Sequence, residues 1–194
     1  MESKLTQLAK SRPEDMRVMS KKSLEWLANR IAEIKNPGSI PPSIKREQDR
    51  YVNRPLLGKM YFFYYDPKTK DRLPYYDTFP LVIPIERYPD GFLGLNLHYI
   101  HTKNRITLLD KLSETLTNDN YDEKTRLRIS YPHLQASSRI FEATPCIKRY
   151  LFSHIESRFL EISADEWDIA VMLPVEQFVG ASTSKVFYDS RKKF

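Results

Sequence analysis

The run LLGKMYFFYYD, residues 56–66, limits what this chain can become more than any other stretch. Its rings alternate, with Tyr61, Phe63 and Tyr65 on one side and Phe62 and Tyr64 on the other, which is the period of a strand. The run stops at the turn residues Asp66-Pro67-Lys68-Thr69-Lys70-Asp71. FPLVIPIERY and FLGLNLHYI then read as two further strands, joined by a turn at Pro89-Asp90-Gly91. Pro80 and Pro84 confine the first of these to a sheet edge or to a bulge, because proline cannot donate to a ladder. Three consecutive strands with short turns predict a meander or a small barrel, SH3-like in size.

Around this block the period changes to that of helices. Ile106, Leu109, Leu112 and Leu116 share one face of a helix expected from Arg105 to Leu116. Asp119–Asp122 is a polar turn into a second helical stretch that contains Leu127 and breaks near Pro132. Thr144-Pro145 has the form of an N-cap followed by proline in the first turn, and predicts a helix carrying Ile147, Tyr150, Leu151, His154 and Ile155. RFLEIS alternates again and is expected to rejoin the sheet. Ser163-Ala164-Asp165-Glu166 is a capping box for a short helix through Trp167 and Val171, stopped by Pro174. Upstream, Leu24, Leu27, Ala28, Ile31 and Ile34 form an amphipathic stripe capped by Ser20 and ended by Asn36-Pro37-Gly38. Residues 37–55 read as an extended, proline-rich connector.

The expected fold class is therefore α+β: a small, strongly bent antiparallel sheet over residues 56–100, joined by a strand at 158–163 and packed with helices over 102–155. An N-terminal helical arm precedes it. The expected division is a basic arm at 1–55, the α+β domain at 56–190 and a basic tail at 191–194. Outside its helix the arm has too few apolar side chains to offset an ordering cost of roughly 1–2 kcal/mol per residue, so by itself it should be mobile.

Charge follows this division. Residues 1–59 hold 13 Lys/Arg against 7 Asp/Glu, whereas residues 60–194 hold 18 of each, so the whole net charge of +6 lies in the first third. A smaller basic cluster, Lys185, Arg191, Lys192 and Lys193, stands at the end. Basic ends on a neutral body suit a phosphate backbone, through counterion release, or are solvated tails. Only five glycines are present, and neither a phosphate-binding P-loop nor a dinucleotide fingerprint can be written with them. The single Cys146 cannot form an internal disulfide, and the expected setting is a reducing one. No apolar run approaches the roughly 20 residues of a membrane span, so a soluble chain is expected.

The candidates for chemistry are thin. His98 and His101 lack a third metal ligand at a recognisable spacing. Cys146 reads as a small buried hydrophobe in the first turn of the 144–155 helix more readily than as a nucleophile. Pro89-Asp90 and Asp122-Glu123-Lys124 spell the letters of a metal-nuclease site, but one falls in a hairpin turn and the other at a helix start. No enzyme, metal site or cofactor is expected. The aromatic run flanked by Lys59 either stacks bases or forms core on one face and a partner surface on the other. The candidate phosphate contacts are Lys45, Arg46, Arg50, Arg54, Lys148 and Arg149, with Arg139 and Arg158 nearby in the sequence.

The strings YDPKTKD, LPYYD and FPLV, then DGF, GLN and HY, then IKRYL and EWDIA, resemble the virion proteins of large contractile-tailed, T-even-type phages. Within these they are most similar to the DNA-end protectors, also called head-completion proteins. The resemblance spans roughly residues 21–190. It implies a non-enzymatic virion component, present in the host cytoplasm during assembly, that acts at the head vertex or neck. There it would bind and shield the end of packaged double-stranded DNA beside portal, neck or tail proteins, with no membrane partner. The alternative is an architectural adaptor of the tail or baseplate without DNA contact, and a metal-dependent nuclease is the third reading.

Overall fold

The computed structural model describes residues 25, 51–116, 120, 146–163, 166–172 and 178–191. The expected connector over 37–50, the helical stretch around Leu127, Thr144-Pro145 and the tail beyond Arg191 lie outside them. So does the expected helix near the N-terminus, save Glu25, which is helical and exposed.

Six strands form one antiparallel sheet in the order β1-β7-β2-β4-β5-β6. They are β1 Tyr51–Val52, β2 Met60–Phe62, β4 Leu81–Tyr88, β5 Gly91–Asn96, β6 Ile147–Leu151 and β7 Phe159–Ile162. β3 Tyr76–Asp77 pairs with β8 Phe178–Val179 in a separate ribbon. Three helices complete the described fold: α1 Thr102–Leu116, α2 Trp167–Val171 and α3 Thr183–Arg191. The α+β class stands, and the sheet takes in Tyr51, Val52 and 147–151 beyond the strands expected.

The β4–β5 hairpin turns at Pro89 and Asp90, where the sequence places it. β4 lies inside the sheet, between β2 and β5, so Pro84 is tolerated by the other device. The register shifts between Pro84 and Glu86, a bulge that removes the need for an amide donor there. β7 rejoins the sheet beside β2 as expected, pairing Tyr61 with Glu161.

One expectation is overturned. Residues 147–151 are not the start of a helix but strand β6, antiparallel to β5 with Gly91 opposite Leu151 and Leu95 opposite Ile147. Ile147, Tyr150 and Leu151 fit a helical face and a short strand equally well, and pairing with the open edge of β5 decides between them. Cys146 accordingly sits just before a strand, where its carbonyl accepts from the Asn96 amide at 2.8 Å.

After β6 a single 3-10 turn, Phe152–His154, leads Ile155 into a bridge with Tyr65. The amides of Asp66 and Glu156 donate to the carbonyls of His154 and Tyr64, each at 3.0 Å. The chain beyond β6 is thereby drawn back to the chain beyond β2, and the sheet folds over itself. Inside the fold lie Tyr61, Phe63, Tyr65, Val82, Phe92, Tyr150 and Phe159. On the other face Met60, Phe62, Leu81 and Ile83 pack with Ile106, Leu109 and Trp167 from the helices. The alternation of residues 61–65 thus separates two cores.

Candidate nucleic-acid interface

Strand β6 positions the basic pair. Successive side chains of a strand point to opposite faces, so Lys148 shares the side of Tyr150, which enters the inner aromatic core, while Arg149 points the other way, and both basic residues remain partly exposed. Gly91 leaves room for β6 and Gly94 for Val82 of β4, because neither carries a side chain. A Cβ on Gly91 would stand 1.9 Å from the Tyr150 carbonyl oxygen, and one on Gly94 2.2 Å from Val82 Cγ1.

Arg149 is held in two ways. Its guanidinium stacks on Tyr88 with 3.7 Å from carbon to ring centroid, and it pairs with the Asp90 carboxylate of the β4–β5 turn. Its Nη1 is buried and has no hydrogen-bond acceptor among the described residues. The Lys148 ammonium lies 4.3 Å from the centroid of the Tyr99 ring. Both residues line a cleft of about 280 Å³, together with Lys68, Tyr76, Asp77 and Asn96.

A buried polar network forms the framework behind the cleft. The Asp77 carboxylate accepts from Asn96 Nδ2 at 3.1 Å, from the Phe79 amide at 3.0 Å and from His98 Nδ1 at 2.7 Å. Facing a carboxylate with three donors fixes the His98 proton on Nδ1. Asn96 Nδ2 also donates to the Tyr150 hydroxyl at 3.1 Å, and its Oδ1 accepts from the His98 amide. The network joins β3 to β5 and β6. His98 is therefore a structural residue in a 3-10 turn after β5, and no group of three or more potential metal ligands occurs among the described residues.

Burial sets the acid–base character of the surroundings. Desolvation pushes the Tyr99, Tyr150 and Tyr65 phenols up from their ordinary value, so they are neutral aromatic walls at physiological pH. The same cause pushes the Cys146 thiol up to about 12, which leaves no thiolate for nucleophilic chemistry near neutrality.

The sequence-predicted contacts are not all brought together. Lys45, Arg46, Arg50 and Arg139 lie outside the described residues. Arg54 is exposed just after β1, at the sheet edge opposite β6, so it is separated from Lys148 and Arg149 by four strands. Arg158 donates to the Tyr51 carbonyl beside that same edge. Burial rules out base stacking on Tyr61, Phe62, Phe63 and Tyr65, which are core, whereas Tyr64 is exposed. Asp90, the first half of the nuclease-like lettering, is the partner of Arg149 in a hairpin turn, and Asp122–Lys124 lie outside the described residues. Sequence reasoning missed the cleft. Its one trace is the LPYYD string, two tyrosines beside an acid in a turn-flanked segment, where alternation alone assigns no binding role.

The described residues thus form a folded-over antiparallel sheet with helical cover and a basic-rimmed aromatic cleft. Residues 6–193 match the family described as Phage T4 terminal DNA protecting protein, and the chain belongs to that family. No curated protein and no solved structure matches the chain. No helix among the described residues is long and apolar enough to cross a membrane.

Proposed function

We propose that this protein is a virion component of the head-completion or neck region that binds the end of packaged double-stranded DNA and shields it from exonucleases. Membership of the terminal DNA protecting family over residues 6–193 carries the reading. It acts by occupying the end, without catalysis and without a cofactor. Lys148 and Arg149 form one phosphate contact, and Arg54 with Lys45, Arg46 and Arg50 forms a second. Arg54 follows one terminal strand of the hydrogen-bonded order, β1, and Lys148 lies on the other, β6, so the two form separate contacts.

Linear blunt duplex incubated with a processive exonuclease tests the reading, with equal amounts of the protein present or absent. Protection of the linear molecule is expected, together with affinity that falls with salt at a log-log slope of about −0.9 per phosphate contacted. Degradation at the unprotected rate, or binding indifferent to salt, overturns it. The anchoring of Arg149 by Asp90 and Tyr88 favours a second reading, in which the charge is architectural and the protein is a tail or baseplate adaptor. Density for DNA beside β6 in the intact particle separates the two.

A further inference from the structure

The cleft beside β6 is too small for a duplex, and its chemistry is that of one nucleotide. At about 280 Å³ it lies at the lower end of ligand pockets, roughly 300–1,000 Å³, so a single base with its sugar fills it. Its walls are tyrosines. Tyr99 already carries the Lys148 ammonium at one ring face, whereas Tyr76 is half-buried at the cleft and no ring of the described residues packs on it. Lys68, in the turn between β2 and β3, is exposed and forms no ion pair among the described residues. Asp77 and Asn96 line the cleft with an acceptor and an amide held in fixed orientation by their mutual bond and by His98.

Resting on the DNA-end reading, we propose that this cleft captures one unpaired terminal nucleotide, its base stacked on Tyr76 and its phosphate between Lys68 and Lys148. Stacking on an aromatic side chain needs an unpaired base, because in a duplex both faces are taken by neighbouring pairs. Frayed or overhanging ends offer such a base and the interior of a duplex does not. The cleft thus distinguishes an end from a continuous helix, which a basic surface alone cannot do, since phosphates are the same along the whole molecule. Arg149 adds to the phosphate side. Its guanidinium, held by Tyr88 and Asp90, lines the same cleft and adds positive charge there.

The test uses the full-length protein and hairpin duplexes with one free end, either blunt or carrying two unpaired nucleotides on the 5′ or the 3′ strand. 2-Aminopurine is placed at the last position, and affinity is read by anisotropy. The overhang is expected to bind roughly tenfold or more tighter than the blunt end, as one base–aromatic stack allows, with quenching of the 2-aminopurine emission. Tyr76→Ala should abolish the preference and the quenching, Tyr76→Phe should retain both, and Lys68→Ala should weaken binding of the overhanging end more than that of the blunt end. Equal affinity for blunt and overhanging ends, or equal weakening of both by Tyr76→Ala, overturns the cleft and leaves the DNA-end reading standing. No binding to any of the three duplexes overturns the DNA-end reading and the cleft with it.

Discussion

The Asp77 carboxylate and the His98 imidazole are joined at 2.7 Å, with both side chains almost wholly buried. Asp77 belongs to the two-stranded ribbon and His98 to the turn after β5, so this contact, with Asn96 and Tyr150, ties the ribbon to the main sheet.

Removing the acceptor leaves three buried donors stranded. Asp77→Ala is expected to lower stability by about 1–3 kcal/mol for each donor left unsatisfied. Asp77→Asn keeps the shape and some acceptor capacity and should cost less. Urea unfolding of the two variants checks the order, and equal midpoints for Asp77→Ala and the parent would refute the role given to the network.

Two glycines of β5 should respond differently to the same substitution. In Gly91→Ala the new methyl meets the Tyr150 backbone carbonyl, which cannot move without breaking the β5–β6 ladder. In Gly94→Ala it meets the Val82 side chain first. Overpacking of this kind costs about 1–3 kcal/mol and occasionally more. Val82→Ala should therefore recover part of the loss in Gly94→Ala and none in Gly91→Ala, as thermal midpoints of the two double variants would show.

Lys148 and Arg149 are adjacent but not equivalent. Lys148→Ala is expected to weaken binding to duplex DNA and to flatten the salt dependence by about 0.9 in log-log slope, with little change in stability. Arg149→Ala removes the same charge and also the stack on Tyr88 and the Asp90 pair, so it should lower the melting temperature as well. Arg149→Lys keeps the charge without the planar stack and should bind salt-sensitively yet melt early. Salt titrations paired with melting curves separate the two roles.

Alkali should weaken the fold before any phenol of the unfolded chain is half ionised. The Cys146 thiol, ordinarily at 9.0, is pushed up to about 12 by burial, so between these values the unfolded chain loses a proton that the folded one keeps. Stability is therefore complete below pH 9.0 and falls as pH rises through that window, by at most about 1.4 kcal/mol per pH unit for this group. Tyr99 and Tyr150, raised from 10.0 by the same cause, add to the fall at higher pH. Cys146→Ala should delay the onset of the decline, and urea midpoints from pH 8 to 11 measure it. An onset identical to the parent's would show that the thiol is accessible in the folded state.

Several elements were legible from local pattern because local pattern is what makes them. Helix α1 follows from the spacing of Ile106 and Leu109, and the β4–β5 turn from Pro89-Asp90-Gly91. The alternation of residues 61–65 is that of a strand, with Tyr61, Phe63 and Tyr65 sharing one core, though Phe62 on the other side is buried against helices rather than offered to a partner. The capping residues Ser163 and Glu166 do meet, hydroxyl to carboxylate at 3.1 Å, ahead of α2.

Other features depend on partners far away in the chain, and no window of sequence contains them. IKRYL satisfies a helical face as well as a strand, and it becomes β6 because β5, some fifty positions earlier, offers unpaired amides and carbonyls and, at Gly91, room for the β6 backbone. The polar network follows the same logic: Asp77, Asn96, His98 and Tyr150 are unremarkable singly, and only folding removes water from all four so that each must satisfy another. The cleft exists because β6 carries Lys148 and Arg149 next to the turn that bears Lys68 and the ribbon that bears Tyr76. Basic character and aromatic content were properties of the sequence. Their convergence on one concave surface was decided by long-range strand pairing, since hydrogen-bond partners and buried contacts in a sheet are set by the whole topology rather than by neighbours along the chain.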